Sequence, residues 1–302
     1  MAGLKVRFIT NPVAGGNGGA GAITGAVSRV LSGAEGIFEI KVSAGISDTH
    51  RLSAEAADKG YDSVFACGGD AAVNAVASAI VNSEVSLGII PGGMGGGLSE
   101  TLNLPAALDE AVSVLVKGRI REIDAGMVGD RFFFSAAGIG LEAAIGKTSG
   151  SRTEKGGRGP GALKYVTAAV KERFVYGSVY GSGSVVIRWE EGSLRARPLF
   201  LTVANAPRRG GCVAPSASAR LDDGLFDVCL VEKAGLAGTL YLTRKFFRGD
   251  ISSSKQFKMI EARALSVERE TAGPVHADGE VFEGEETLEF RLLPRALKVW
   301  TF

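Results

Sequence analysis

The chain is poor in the residues that carry redox, metal and disulfide chemistry. It has three cysteines and two histidines among 302 residues. Cys67, Cys212 and Cys229 are odd in number and widely spaced, which fits neither a disulfide framework nor a zinc site. Such usage suits a reducing cytoplasm. Excess charge of one sign is also missing. Lys and Arg total 34 against 33 Asp and Glu, a net charge of +1, so no nucleic-acid partner is expected. No apolar run reaches the ~20 residues that span a bilayer. The opening "MAGLKVRFIT" is too short and too polar for a secretory signal. Any membrane contact is therefore expected to be peripheral.

Glycine is what the chain has in abundance: 43 residues, roughly twice ordinary usage. Many tight turns or close backbone approaches follow from that. The length predicts two domains with ample core, and 45 % hydrophobic with 22 % charged residues is ordinary for a globular chain.

Two periodicities alternate over residues 1–123. Strands are expected at Lys5–Ile9, Phe38–Val42, Ser63–Cys67 and Val85–Ile90. Between them run helical stripes, the first carrying Ile23, Val27, Val30 and Leu31. Ser47 or Asp48 can cap the second helix and Gly60 can end it. Pro105 opens a further helix, with Leu108, Ala111, Val112 and Leu115 on one face and Gly118 at its end. This alternation predicts a three-layer α/β domain with a mainly parallel sheet. From Asp124 to 292 the pattern changes to short strand-like runs, among them "RFFFSAA", "RPLFLTVAN" and "LFDVCLV", with "WEEGSLRA" as a hairpin. A β-rich, antiparallel, sandwich-like domain is expected there. Helices at Ala162–Arg173 and Leu236–Phe247 interrupt it.

Three glycine-rich turns follow strands of the first half: "NPVAGGNGG", "GGDAA" and "PGGMGGG". In an open parallel sheet, ligands sit beyond the carboxyl ends of strands. Glycine lets backbone N–H groups approach phosphate, and helix N-termini favour anions. Any one of these turns reads as a plain tight turn. Three together point to a phosphate-bearing ligand.

The ordered set "NPVAGGNGG", "GGDAAVNAVAS", "GIIPGG…LSETLNLP", "DAGMVGDRFFFSAAGIGLEAAI", "NAPRRGGCVAPSASARLDDGLFDV" and "HADGE" resembles the diacylglycerol-kinase and sphingosine-kinase lipid kinases, most of all the bacterial members. The likeness runs from about Lys5 to Glu280. It implies a nucleotide-binding kinase domain and a β-rich lipid-substrate domain, the segment 293–302 returning to the first. It also implies ATP- and Mg²⁺-dependent transfer of a γ-phosphoryl group to a lipid hydroxyl, with the nucleotide between the two domains. Asn11 and Gly15 match the first nucleotide-contact turn. Gly68, Gly69 and Asp70 match the start of Gly-Gly-Asp-Gly-Thr, and Gly92, Gly93 and Met94 fall in a further phosphate turn. Asp278 and Glu280 match Asp-Gly-Glu, whose Asp is the family's proposed general base. Asp223, with the Arg220 and Leu225 carbonyls, matches a structural-metal site of bacterial members. Taken alone, Asp278 and Asp223 read equally as turn acids before glycine.

The departures fall in the same motifs. Ala71 and Ala72 stand where the family has Gly-Thr. Met94, Gly96 and Gly97 stand where it has a hydroxyl, an Asn and an acid that belongs to the magnesium network. A hydrogen bond to charged phosphate is worth roughly 1.5–3 kcal/mol, so each lost hydroxyl weakens binding by about one to two orders of magnitude. If Ala71 takes a positive φ, strain of roughly 1 kcal/mol is added. Main-chain donors survive all of these changes. The leading expectation is thus a lipid kinase for a diacylglycerol-like or other long-chain alcohol, with a nucleotide and a membrane-surface lipid as partners. A homodimer is compatible with it. The rival is a kinase-like binding protein with little phosphotransfer. A dinucleotide oxidoreductase has only the lone "GIGLEA" turn behind it, "GLEAAIGKT" has one residue too many for a phosphate loop, and His276 lacks a nucleophile elbow for a hydrolase triad. His50 reads as helix surface. The basic residues Lys147, Arg152, Lys155 and Arg158 read as a solvated loop or a lid over phosphate.

Overall fold

The computed structural model describes residues 3–10, 19–92, 97–140, 183–207, 216, 218–232, 234, 235, 238, 241, 242, 244, 245 and 250–302. The chain forms two compact units. One comprises Met1–Ala125 with Leu293–Phe302, the other Gly126–Leu292.

The first unit is a parallel sheet with helices on both faces. Its strands are β1 (Leu4–Thr10), β2 (Gly36–Val42), β3 (Ser63–Gly68) and β4 (Ser86–Pro91), in spatial order β2-β1-β3-β4. The second half of a long last strand, β16 (Thr287–Thr301), adds beside β4 in parallel, with Lys298 opposite Ser86. Side-chain alternation along β1 sorts the two faces. Val6 and Phe8 pack with Ile23 and Val27 of α1 (Ala20–Val30), Ala111 and Val112 of α5 (Leu108–Val112), and Trp300. Burying each such side chain stabilises the unit by about 1.5–3 kcal/mol. Arg7 points the other way and donates to the Leu52 carbonyl of α2 (Ile46–Asp58) at 2.9 Å. Helix α3 (Asp70–Ile80) packs beside α2. The returning segment is anchored at both ends. Trp300 Nε1 donates to Ser63 Oγ at 3.0 Å, and the Arg295 N–H donates to the buried Asp124 carboxylate at 2.7 Å.

The second unit is a sandwich of antiparallel sheets. One has the order β12 (Phe257–Ala262), β11 (Phe226–Glu232), β10 (Pro198–Ala204), β7 (Ala136–Gly140), β14 (Gly273–Ala277), β15 (Glu280–Gly284). The other runs from the first half of β16 through β13 (Ala264–Arg269) and β8 (Val185–Trp189) to β9 (Gly192–Ala196). β5 (Arg119–Val128) and β6 (Arg131–Phe133) form a hairpin that leads into it. Both sheets contribute to one core, where Phe133 stacks on Phe226 at 5.5 Å and meets Phe290 edge-on at 6.5 Å.

The fold class matches the expectation from the sequence. Several local features differ. The helix expected from Pro105 begins at Leu108, after an extended Ala107. It breaks at Ser113, whose hydroxyl donates to the Glu110 carbonyl at 2.7 Å, and resumes as α6 (Val114–Lys117). A short helix, α4 (Gly97–Thr101), lies where glycine richness suggested only a turn. Gly45, not Ser47 or Asp48, is the N-cap of α2; Asp48 instead reaches back to accept the Ala44 N–H at 2.9 Å. The expected helix Ala162–Arg173, most of Leu236–Phe247 and the basic stretch around Lys147, Arg152, Lys155 and Arg158 lie outside the described residues.

Candidate functional site

The strand ends of the first unit lie level with one another. Register sets Thr10 of β1 beside Cys67 of β3, and Gly68 beside Pro91 of β4. The chain leaves β1 for β2 on one side and later returns to β3 on the other. Such a reversal opens a crevice at the carboxyl ends of the two central strands, where α/β sheets take their ligands. The turn after β3 starts α3 there. Gly69 is the N-cap, and its carbonyl accepts the N–H groups of Ala72 at 3.0 Å and Val73 at 3.1 Å. The N–H groups ahead of these have no carbonyl inside the helix to bond, and the helix dipole adds partial positive charge. Gly69 and Ala71 are exposed and Asp70 is half-buried, so this end faces solvent.

Asp70 and the third glycine turn are in direct contact. A Cβ added to Gly97 would lie 2.0 Å from Asp70 Oδ1 and 2.6 Å from its Cγ. The carboxylate therefore uses the space a side chain at position 97 would fill. Asp70 at the start of α3 and Gly97 at the start of α4 make one packed pair, across two turns far apart in sequence. Gly92 has a backbone reason of its own. Its N–H donates to the Gly68 carbonyl at 3.0 Å, and a Cβ there would come 2.9 Å from the Gly68 Cα. Only glycine lets the two turns approach so closely.

The strain considered for Ala71 is absent. Ala71 and Ala72 are the second and third residues of α3, and neither has a positive φ. Alanine is the best helix former, so Ala71 favours the helix start by about 0.8–1 kcal/mol over glycine. Ala72 is buried. Asn11, Gly15, Gly93 and Met94 lie outside the described residues.

In the second unit, Asp278 and Gly279 form the two-residue turn between β14 and β15, with Ala277 opposite Glu280. Both take positive φ, +46° and +86°, as a type I′ turn requires. The Asp278 carboxylate is directed at the chain entering β7. Oδ2 accepts the Phe134 N–H at 2.8 Å, and Oδ1 accepts those of Ser135 at 2.8 Å and Ala136 at 3.1 Å. Glu280 is exposed and faces Arg131, 3.4 Å away. The Arg131 guanidinium lies over the Phe282 ring at 4.4 Å.

The loop proposed for a structural metal is held by its own backbone. Asp223 Oδ1 accepts the Leu225 N–H at 3.1 Å, an Asx turn closed by Gly224 at φ +75°. The Arg220 guanidinium lies 3.6 Å from Asp222. No group of three or more His, Cys, Asp or Glu side chains that could hold a metal occurs among the described residues. A cation there would depend on Asp223 and carbonyl oxygens. At the α3 turn, by contrast, the half-buried Asp70 carboxylate stands at the solvent-facing helix start.

Residues 141–148, which hold the rest of both decoy turns, "GIGLEA" and "GLEAAIGKT", lie outside the described residues. Gly138 and Gly140 lie in β7, which pairs antiparallel with β10 and β14 rather than in parallel as a βαβ unit would. His276 is buried in β14 across from Gly138, two residues before the Asp278 turn, and His50 is exposed on α2. Burial pushes the Cys67 thiol far above its ordinary range, which removes it as a nucleophile.

Comparison with known proteins accords with this arrangement. Residues 5–128 match the diacylglycerol kinase catalytic domain, and residues 136–301 match the YegS C-terminal NAD kinase beta sandwich-like domain. A Staphylococcus saprophyticus protein named diacylglycerol kinase is 25 % identical over 261 residues, 85 % of this chain and 82 % of that protein. A Mycobacterium tuberculosis diacylglycerol kinase is 26 % identical over 304 residues, covering 98 % and 94 %. Among solved structures, a diacylglycerol kinase from Bacillus anthracis superposes with a TM-score of 0.73 at 21 % identity, covering 99 % of this chain and 97 % of that one. An NAD kinase from Archaeoglobus fulgidus in complex with ATP gives 0.54 at 12 % identity, covering 99 % and 94 %. Those two likenesses concern the fold. With both domain models matched in order, the chain belongs to the diacylglycerol-kinase-like family of kinase-type enzymes.

Proposed function

We propose that this chain is an ATP-dependent lipid kinase acting on a diacylglycerol-like or other long-chain alcohol. The observation that carries the reading is the level edge of the parallel sheet. There the Gly68–Gly69 turn and the start of α3 set main-chain N–H groups beside one carboxylate, Asp70, and Gly92 closes against Gly68. Such an edge suits a triphosphate, and Asp70 would hold a magnesium ion shared with phosphate oxygens. That ion, when bound, neutralises charge building on the transferred group. The lipid hydroxyl oxygen attacks the γ-phosphorus, the bond from phosphorus to the β,γ-bridging oxygen breaks, and ADP leaves with the electron pair. The hydroxyl proton is released to a base. The acceptor is met at a membrane surface, the nucleotide comes from solution, and pairing of two copies is compatible with the scheme. Nucleic acid has no part in it.

A second reading has its own observation. Gly97 brings no acid to the edge, and Asp70 fills the space one would use. A protein that binds nucleotide or lipid with little transfer follows from that loss. Incubation with γ-labelled ATP, magnesium and vesicles containing dioleoylglycerol separates the two. The kinase reading expects labelled phosphatidic acid. Tight nucleotide binding without labelled lipid, across a panel of long-chain alcohols, overturns it in favour of the second reading.

A further inference from the structure

The last strand of the first unit ends beside the turn that opens β5. A Cβ added to Gly118 would lie 2.6 Å from the Thr301 carbonyl oxygen. Register carried on from Lys298 opposite Ser86 and Val299 opposite Leu87 sets Phe302 level with Ile90. Pro91, one residue further, lies beside Gly68. Two strand spacings, roughly 10 Å, separate Phe302 from the Gly68 turn. The Gly118–Thr301 contact therefore stands at the same carboxyl edge as the glycine-rich turns. Around it the surface mixes apolar and basic side chains. Val116, Ile120 and Phe302 are 50 %, 48 % and 47 % exposed. Lys117 ends α6 and is exposed, as are residues 119–122 at the start of β5. Alternation places Arg119 and Arg121 on one side of that strand, and Ile120 and Glu122 on the other. Among the described residues, no carboxylate lies within ion-pair reach of Lys117 or Arg119. The acids of α5 stand at the far end of the helical segment, and Arg29 already holds Asp109 at 2.7 Å.

We propose that Val116, Lys117, Arg119 and Phe302, joined by Arg121, form the surface by which this protein docks on an anionic phospholipid membrane. This rests on the lipid-acceptor reading above and names the face that meets the bilayer. Apolar side chains exposed singly are ordinary. Here an aromatic and an aliphatic side chain share one rim with cations, a composition that suits the headgroup boundary. The cations are attracted to negative headgroups, and the apolar side chains enter the acyl boundary beneath them. A neutral protein partner would use only the apolar part and leave the cations without counter-charge. Docking here brings the bilayer to within about 10 Å of the Gly68 turn, so a lipid hydroxyl stays close to its membrane while it reacts.

Flotation of the full chain with vesicles, without nucleotide or diacylglycerol, tests this. The wild type should bind vesicles of phosphatidylcholine mixed with phosphatidylserine, and bind pure phosphatidylcholine far less. Lys117→Gln combined with Arg119→Gln should lower partitioning onto the anionic vesicles by about thirtyfold at low salt, and by less as salt is raised. Phe302→Ser should lower it by about tenfold, with little dependence on salt. Arg188→Gln removes an exposed cation of the second unit and should leave partitioning unchanged. All of these side chains are at least partly exposed, and equal urea midpoints check that each variant keeps its fold. Wild-type binding that ignores phosphatidylserine overturns the proposal. So do patch variants that bind as the wild type does, or a loss in Arg188→Gln as large as that at 117 and 119. A wild type that floats with neither vesicle also overturns it, and leaves this face to a protein partner. Label transfer to dioleoylglycerol in detergent micelles judges the kinase reading separately. Transfer without vesicle docking removes only the patch, and docking without transfer removes only the kinase.

Discussion

At the scale of residues, the candidate edge turns on a pair that no single motif contains. Asp70 and Gly97 touch because β3 and β4 are neighbours whose ends lie level. Seen as text, Gly97 is a lost acid. In the fold, it is the space into which Asp70 leans. The contact makes a specific prediction for Gly97→Ala. The new methyl must push the Asp70 carboxylate aside, which a flexible side chain can do without unfolding the protein. Mg²⁺-ATP affinity, measured by titration calorimetry, should fall by about tenfold, or about 1.4 kcal/mol. In an Asp70→Ala background the same change should have almost no effect, since nothing remains to displace. Equal losses in the two backgrounds would show that the pair is not coupled. The sequence disclosed Asp70 and the glycine-rich edge, because glycine and an acid at a strand end have direct chemical meaning. The Asp70–Gly97 contact was hidden, because it depends on strand order and register. The grip of Asp278 on 134–136 was hidden for the same reason: its partners lie more than a hundred residues away.

At the scale of elements, the strand–helix alternation was readable because β1, β3 and β4 are largely buried and α1 and α3 each bury an apolar stripe. What periodicity could not give was the charge network, built on buried Arg7 and partly exposed Glu39, that joins elements across the second face of the sheet. Arg7 of β1 donates to Glu39 of β2 at 2.7 Å, and the Tyr61 hydroxyl donates to the same Glu39 oxygen at 2.5 Å. The Arg7 guanidinium also lies 4.5 Å from the centre of the Tyr61 ring. Burial opposes ionisation of Glu39, but hydrogen bonds from Tyr61, Lys41 and Arg7 outweigh it and lower its carboxyl to about 2. A carboxyl lowered in the folded state stabilises that state at every pH above its ordinary value near 4.5. The stabilisation is lost as pH falls from there through about 2. Allowing for the partial exposure of Glu39, the contribution at neutral pH is about 2 kcal/mol. Urea melts of wild type and Glu39→Gln should therefore differ by about that much at pH 7 and converge by pH 2. A difference that stayed constant with pH would deny the ionised network its role.

At the scale of the whole chain, two units are built by different rules. The first is parallel and layered, and it is completed only when residues 293–302 return to lie beside β4. The second is antiparallel, with a core shared between its sheets. Composition and turn spacing announced that change of rule near Asp124. The ordered motifs then connected both units to one family, as the two matched domain models do. Position-specific chemistry was less legible. Alanines at 71 and 72 read as damage to a phosphate turn, yet they are favourable helix residues, and the Ala72 N–H already closes the first turn on the Gly69 carbonyl. On the proposed function, main-chain donors at the carboxyl edge of the parallel sheet hold a nucleotide triphosphate. The most direct measurement is an amide chemical-shift titration of the full-length protein with Mg²⁺-ATP. Saturable shifts should concentrate at Gly68, Gly69, Asp70, Ala71 and Gly92. Saturable binding that leaves those amides unmoved, with the shifts gathered elsewhere, would contradict it.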